Sequence, residues 1–218
     1  MNICDFWINL GISVLGSSIP IGIGILWGYF KWWKPDHNLK KTGVVDIFDN
    51  QEKAEPVILK AIKSTHNIYV LSVKGETFSD RSKALGNALM GDQKIVQRYL
   101  ISDTKEKNPY IGKREKELSK DKNKLSVALE NSYRLFNDAA EDNKSIEVSR
   151  HCEIVRFRII ILDDYLFMSF QEEKREGRDC QMLQISNNSP IYQTYKTYFD
   201  DLWEKYNPNL QSEAKDKT

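Results

Sequence analysis

Arg156, Arg158, Asp163 and Ser169 place two cations, an acid and a hydroxyl in one short run, IVRFRIIILDDYLFMSF over 154–170. The spacing is Arg-x-Arg-x4-Asp, with five residues between Asp163 and Ser169. In a strand, residues two apart share a face. An unbroken strand therefore sets Arg150, Cys152, Ile154, Arg156 and Arg158 on one side, and Val155, Phe157, Ile159 and Ile161 on the other, in core. Guanidiniums aligned this way suit bidentate recognition of phosphate or carboxylate. They equally suit a structural network or dimer seam, with Arg156 and Arg158 paired to Asp163, Asp164 or glutamates. Ser72, Lys74 and Gly75 end an apolar strand, where ligands of open α/β sheets gather, and are candidates for the same pocket.

Other chemistries lack their signatures. There is no phosphate-cradling GxxxxGK[ST], no GxGxxG after a strand, no HExxH and no GxSxG. His37, His66 and His151 are scattered, so no metal centre and no cofactor is expected; His37 and His66 read as surface residues. Cys4, Cys152 and Cys180 are odd in number and far apart, which argues against a disulfide framework and for a reducing compartment. With 32 Lys+Arg against 31 Asp+Glu, the net charge of +1 supplies no global pull towards nucleic acid.

The elements that must position these residues alternate. GVVDIF (43–48) reads as a strand, followed by a helix capped by Asp49 or Asn50 that carries Val57, Ile58, Ala61 and Ile62, with Glu55-Pro56 in its first turn. NIYVLSV (67–73) and KIVQRYLI (94–101) are strands, with a short helix over 79–91 between them. The charged stretch 103–124 reads as a solvated loop and helix start, and Leu125 to Phe136 as a helical face. SIEVS (145–149) and IVRFRIIIL (154–162) are strands, the latter turning through Asp163-Asp164 in a tight hairpin into YLFMSF (165–170). QMLQIS (181–186) is the last strand, and Ser189-Pro190 starts a helix with Ile191, Tyr195, Tyr198, Leu202 and Trp203 inward. This order predicts one α/β domain around a mixed sheet over 43–206, with a polar tail at 207–218.

The run Arg156-x-Arg158-x4-Asp163 with Ser169 downstream resembles the HxKx4D motif and following Gly-Ser of the phospholipase D superfamily, and the likeness extends to the strand–helix order from about 43 to 206. In that family the His is the nucleophile, the Lys holds phosphate oxygens and the Asp supports the His. Here Arg156 stands at the nucleophile's position, Arg158 at the lysine's, Asp163 and Ser169 match, and Met168 replaces the Gly. A guanidinium stays protonated and cannot attack phosphorus. His151 does not restore the motif, because Glu153 lies where its lysine would be. The resemblance therefore implies a phospholipase-D-like lobe that keeps phosphate-binding geometry and has no catalytic residue.

Before this domain, Phe6–Phe30 carries no charge over 25 residues. As a helix it is roughly 37 Å long, enough to cross a hydrocarbon core with some tilt. Trp7 sits near one end and Trp27, Tyr29, Trp32 and Trp33 near the other, with Lys31, Lys34, Lys40 and Lys41 following. That pattern predicts a transmembrane anchor over 1–33 and a juxtamembrane linker over 34–42. It predicts a single-pass inner-membrane protein with its N-terminus outside and the large domain cytoplasmic. Gly24-x-x-x-Gly28 allows close helix approach and Pro20 a bend, so the span is expected to self-associate into a homo-oligomer in the lipid bilayer.

An anchor joined to a degenerate lobe resembles the small membrane effectors of bacterial anti-phage systems, some linked to retrons or nucleotide signalling. The implied function is a membrane effector whose cytoplasmic domain senses a protein, nucleotide or nucleic-acid signal and whose transmembrane span perturbs the inner membrane. The alternatives are an anchored phosphodiesterase and a non-toxic membrane scaffold.

Overall fold

A computed structural model describes residues 41–80, 82–91, 94–104, 107–118 and 124–207. The chain divides into two units, Met1–Thr42 and Gly43–Thr218. The predicted span, with Pro20, Gly24 and Gly28, lies outside the described residues. Among the described residues no helix is long and apolar enough to cross a membrane.

The second unit is built on seven strands: β1 (Val44–Phe48), β2 (Asn67–Ser72), β3 (Val96–Ser102), β4 (Ile146–His151), β5 (Phe157–Ile161), β6 (Tyr165–Phe170) and β7 (Met182–Ser186). Its helices are α1 (Gln51–Ile62), α2 (Glu76–Ser79), α3 (Ala84–Gly91), α4 (Pro109–Glu117), α5 (Lys124–Asp142) and α6 (Pro190–Tyr206). The strands form one mixed sheet in the order β1-β7-β6-β5-β2-β3-β4. β2, β3 and β4 are parallel, and the remaining pairings are antiparallel.

Both faces are covered, which is why the central strands carry unbroken apolar stretches at 68–71 and 159–161. On one face Ile58 and Ile62 of α1, Leu85 and Leu89 of α3, and Phe136 of α5 pack on Ile68, Val70, Tyr99, Ile160 and Phe167. On the other, Tyr192, Phe199, Leu202 and Trp203 of α6 pack on Leu71, Leu100, Ile159, Ile161, Leu166 and Met168. The helix starts use local chemistry. Lys53 N donates to Asn50 Oδ1 at 3.0 Å, and Tyr192 N donates to Ser189 Oγ at 3.1 Å. The β5–β6 hairpin closes at Asp163-Asp164, with Ile161 opposite Leu166.

The structure corrects the sequence-based expectations in four places. The strand expected to run unbroken from Arg150 to Arg158 is two strands: β4 lies at the sheet edge, and β5 is separated from it by β3 and β2. Residues 152–156 are the crossing. Spanning three strand spacings takes about 14 Å, and an extended chain of this length covers it. Pro56 lies in the second turn of α1, not the first, because the helix starts at Gln51. The segment 79–91 holds two short helices, α2 ending there and α3. Finally, α4 occupies the stretch expected to be solvated and buries Tyr110, Ile111, Arg114 and Glu115.

Candidate functional site

The crossing from β4 to β5 reverses the chain, so the start of β5 lies at the same end of the sheet as the carboxyl ends of β2, β3 and β4. Arg158 enters there. Its register partner on β6 is Ser169. On the other side, Leu71 pairs with Ile159, which puts Ser72 next to Arg158 one step on. Ser72, Arg158 and Ser169 therefore form one rung, and alternation sends all three to the α1 face.

Above this rung opens a cleft lined by Ser72, Lys74 and Gly75, by Arg158 and Gln171, by Arg114 of α4, and by Glu176, Gly177 and Arg178 from the β6–β7 connection. Gly75 makes the turn out of β2 in a left-handed conformation, φ 68°, and a Cβ there would come within 2.9 Å of the Phe136 ring. Its N–H donates to Ser72 Oγ at 3.3 Å.

Arg158 is buried, at 6% exposure, and among the described residues its hydrogen bonds go to neutral oxygens. Nη1 donates to Gln51 Oε1 at 2.5 Å and Nη2 to the Gly177 carbonyl at 3.2 Å, while Nε donates to nothing among the described residues. The Phe78 ring lies 5.8 Å from its Cζ. Burial lowers its pKa to about 10, so it still carries its charge at neutral pH. The Ser169 hydroxyl beside it is also buried, without a hydrogen-bond partner among the described residues. Lys74 pairs with Glu76 and lies 4.0 Å from Glu176. Arg114 is bound to Glu117 at 3.0 Å and donates to the carbonyls of Glu172 and Arg175 at 2.9 and 2.7 Å.

The other predicted site residues are placed elsewhere. Arg156 stays in register opposite Gln171, whose N–H donates to its carbonyl at 2.8 Å. Its side chain is 56% exposed and meets Glu117 at 3.3 Å. Asp163 lies beyond the far end of β5, roughly 16 Å from Arg158 along the strand. There it accepts from His66 N at 2.6 Å and from Asn67 Nδ2 at 3.0 Å. Burial pushes the Asp163 carboxyl up, but these donors outweigh it and hold the pKa below the usual carboxylate value. Arg150, on β4, is engaged by Glu130 at 2.7 Å and Asp103 at 3.2 Å and covers the Tyr133 ring at 3.8 Å. The single-face row of arginines does not form, because the break between β4 and β5 separates Arg150 from the other two.

Gln51, Arg114, Gln171 and Gly177 were not singled out in the sequence. Arg114 had a usable signal: Tyr110, Ile111 and Arg114 fall on one side of a helix. Among the described residues no group of three or more His, Cys, Asp or Glu side chains is placed to hold a metal.

No protein-family model matches the chain. No curated protein matches it either. Among solved structures it is similar to TrmBL2, an archaeal chromatin protein whose structure shows a novel mode of DNA binding, at 13% identity over 94% of this chain and 69% of that one, with a TM-score of 0.48. It is also similar to Nuc from Salmonella typhimurium, a phospholipase D family member, at 14% identity over 74% and 94% of the two chains, with a TM-score of 0.46. NucT from Helicobacter pylori gives 13% identity over 74% and 96%, again at 0.46. Likenesses at these scores decide neither family nor activity.

Proposed function

We propose that the domain is an anion-binding sensor whose ligand carries phosphate, and that it serves a membrane-anchored effector rather than a phosphodiesterase. The observation that carries this reading is Arg158. A buried charge without a counter-charge is unfavourable by several kcal/mol, and a phosphate oxygen offered through the cleft relieves it. Nε and the Ser169 hydroxyl provide donors that no described residue uses. The hydrolase alternative is disfavoured by the cleft wall, whose described residues include serine, threonine, lysine and arginine but no histidine to form a phosphohistidine. The membrane anchor, the cytoplasmic placement and the anti-phage role belong to this proposal and rest on the sequence of the first 33 residues and on architecture.

The test is calorimetric titration of the full-length protein in detergent with inorganic pyrophosphate. Wild type is expected to bind, and Arg158→Ala to bind at least about tenfold more weakly through loss of charge-assisted bonds. Cleavage of bis-nitrophenyl phosphate that depends on Arg158 would establish the hydrolase instead.

A further inference from the structure

The β6–β7 connection, Gln171–Gln181, is far longer than the about two to five residues that join antiparallel neighbours. It does not loop outwards. It turns at Lys174, which holds a left-handed φ of 61°, and folds back along the cleft. Its main chain is held there by groups from other elements. Arg114 donates to the carbonyls of Glu172 and Arg175, Arg158 to that of Gly177, and Gln51 N to that of Arg178 at 2.9 Å. Glu176 sets its carboxylate 3.7 Å from Arg178 of the same segment and 4.0 Å from Lys74. The segment thus sets an uncharged oxygen on Arg158 and an acid near Lys74, the two cations that an anion in the cleft would use.

We propose that Gln171–Gln181 is a strap that closes the empty cleft and that a phosphate-bearing ligand displaces. This deepens the anion-binding reading and rests on it. A phosphate oxygen brings a full negative charge and bidentate geometry that a carbonyl lacks, so it takes Arg158 from Gly177. Its charge also repels the Glu176 carboxylate and competes for Lys74. Closure and occupancy are then mutually exclusive, and by linkage each weakens the other equally. The consequence for a sensor is a conformational output: ligand binding frees a charged surface segment from the domain.

Trypsin reads the strap directly, because it carries Lys174, Arg175 and Arg178, and cleavage of folded chains follows local opening. The experiment digests the full-length protein with and without saturating pyrophosphate, beside calorimetry on the same samples. The strap sites are expected to be cut at least about threefold faster with pyrophosphate while sites elsewhere in the domain become slower, since a bound ligand stabilises the rest. Glu176→Gln, which removes the competing acid without touching Arg158, should raise pyrophosphate affinity by up to about threefold, within the range of an exposed ion pair. If pyrophosphate binds but the strap is cut at the same rate or more slowly, the strap proposal fails and the anion site stands. If calorimetry detects no binding by wild type or Glu176→Gln, both fail.

Discussion

Arg158 and His151 are two basic side chains sealed into the same end of one sheet, and burial acts on them in opposite ways. His151 ends β4 at the edge of the parallel half, fully buried, with the Ser72 main chain as the nearest polar group to its ring. Desolvation lowers its pKa to about 4, only partly opposed by Glu153, Asp103 and the Ser72 main chain. The imidazole relieves its burial by giving up the proton. Arg158 has no such exit: lowered to about 10, it remains charged. The Tyr206 ring lies edge-on to His151 at 6.3 Å, as in ordinary core, whereas Arg158 lines the cleft. A buried base that can neutralise itself needs no counter-charge, and one that cannot marks the place where an anion belongs.

The largest effect comes from forcing His151 to behave as Arg158 does. Its pKa is 6.5 in the unfolded chain and about 4 in the folded one. Between these values the unfolded chain binds a proton that the native state refuses, so stability is complete above pH 6.5 and falls as pH drops towards 4. The full loss is about 3 kcal/mol, of which about 2 has gone by pH 5. Urea unfolding at pH 7 and pH 5 should show this loss in wild type and not in His151→Gln, which stays polar but cannot protonate. Equal acid sensitivity in the two proteins would mean that His151 is already charged or hydrated in the native state.

A smaller effect follows from giving Arg158 the counter-charge it lacks. Gln51 Oε1 lies 2.5 Å from Nη1, and Gln51→Glu is close to isosteric. A carboxylate at this position pairs with a charge that is already desolvated, so thermal unfolding should report a gain of about 1–2 kcal/mol at neutral pH. The same change should weaken pyrophosphate binding at least about tenfold, because an internal anion now occupies the guanidinium. Unchanged affinity would separate Arg158 from the ligand.

The contrast also shows what the sequence could disclose. Ser169 and Arg158 are equidistant from Asp163-Asp164, so their pairing follows once that dipeptide is read as a hairpin turn. Ser189-Pro190 and Asn50 announce helix starts by local hydrogen bonding, and those starts are found as expected. The break between β4 and β5 carries no glycine or proline, and Val155 within it is buried like any core residue. Sheet order alone breaks the run, through pairings with β2 and β3 that lie far away in sequence. For the same reason Ser72 could be suggested as a pocket residue but not placed beside Arg158. Gln51 and Arg114 were hidden by composition. One is a plain amide following a cap, and the other sits in a run of charge whose burial depends on what packs over it.

The smallest effect belongs to Arg156, which the motif spacing made the equal of Arg158. Both face the same side of β5, but the chain just before Phe157 is already leaving the sheet, and the Arg156 side chain is mostly in solvent. Its ion-pair partner is Glu117, which Arg114 already engages at 3.0 Å, so removing Arg156 leaves no unpaired buried acid. Exposed pairs of this kind contribute between zero and about 1 kcal/mol. Arg156→Ala should therefore change unfolding free energy by less than about 0.5 kcal/mol and pyrophosphate affinity by less than about twofold, both within the effect of a screened surface charge. A tenfold loss of affinity, with stability unchanged, would move the binding site outwards to the mouth of the cleft. It would restore the paired-guanidinium arrangement that the motif suggested, with Arg158 as its inner member.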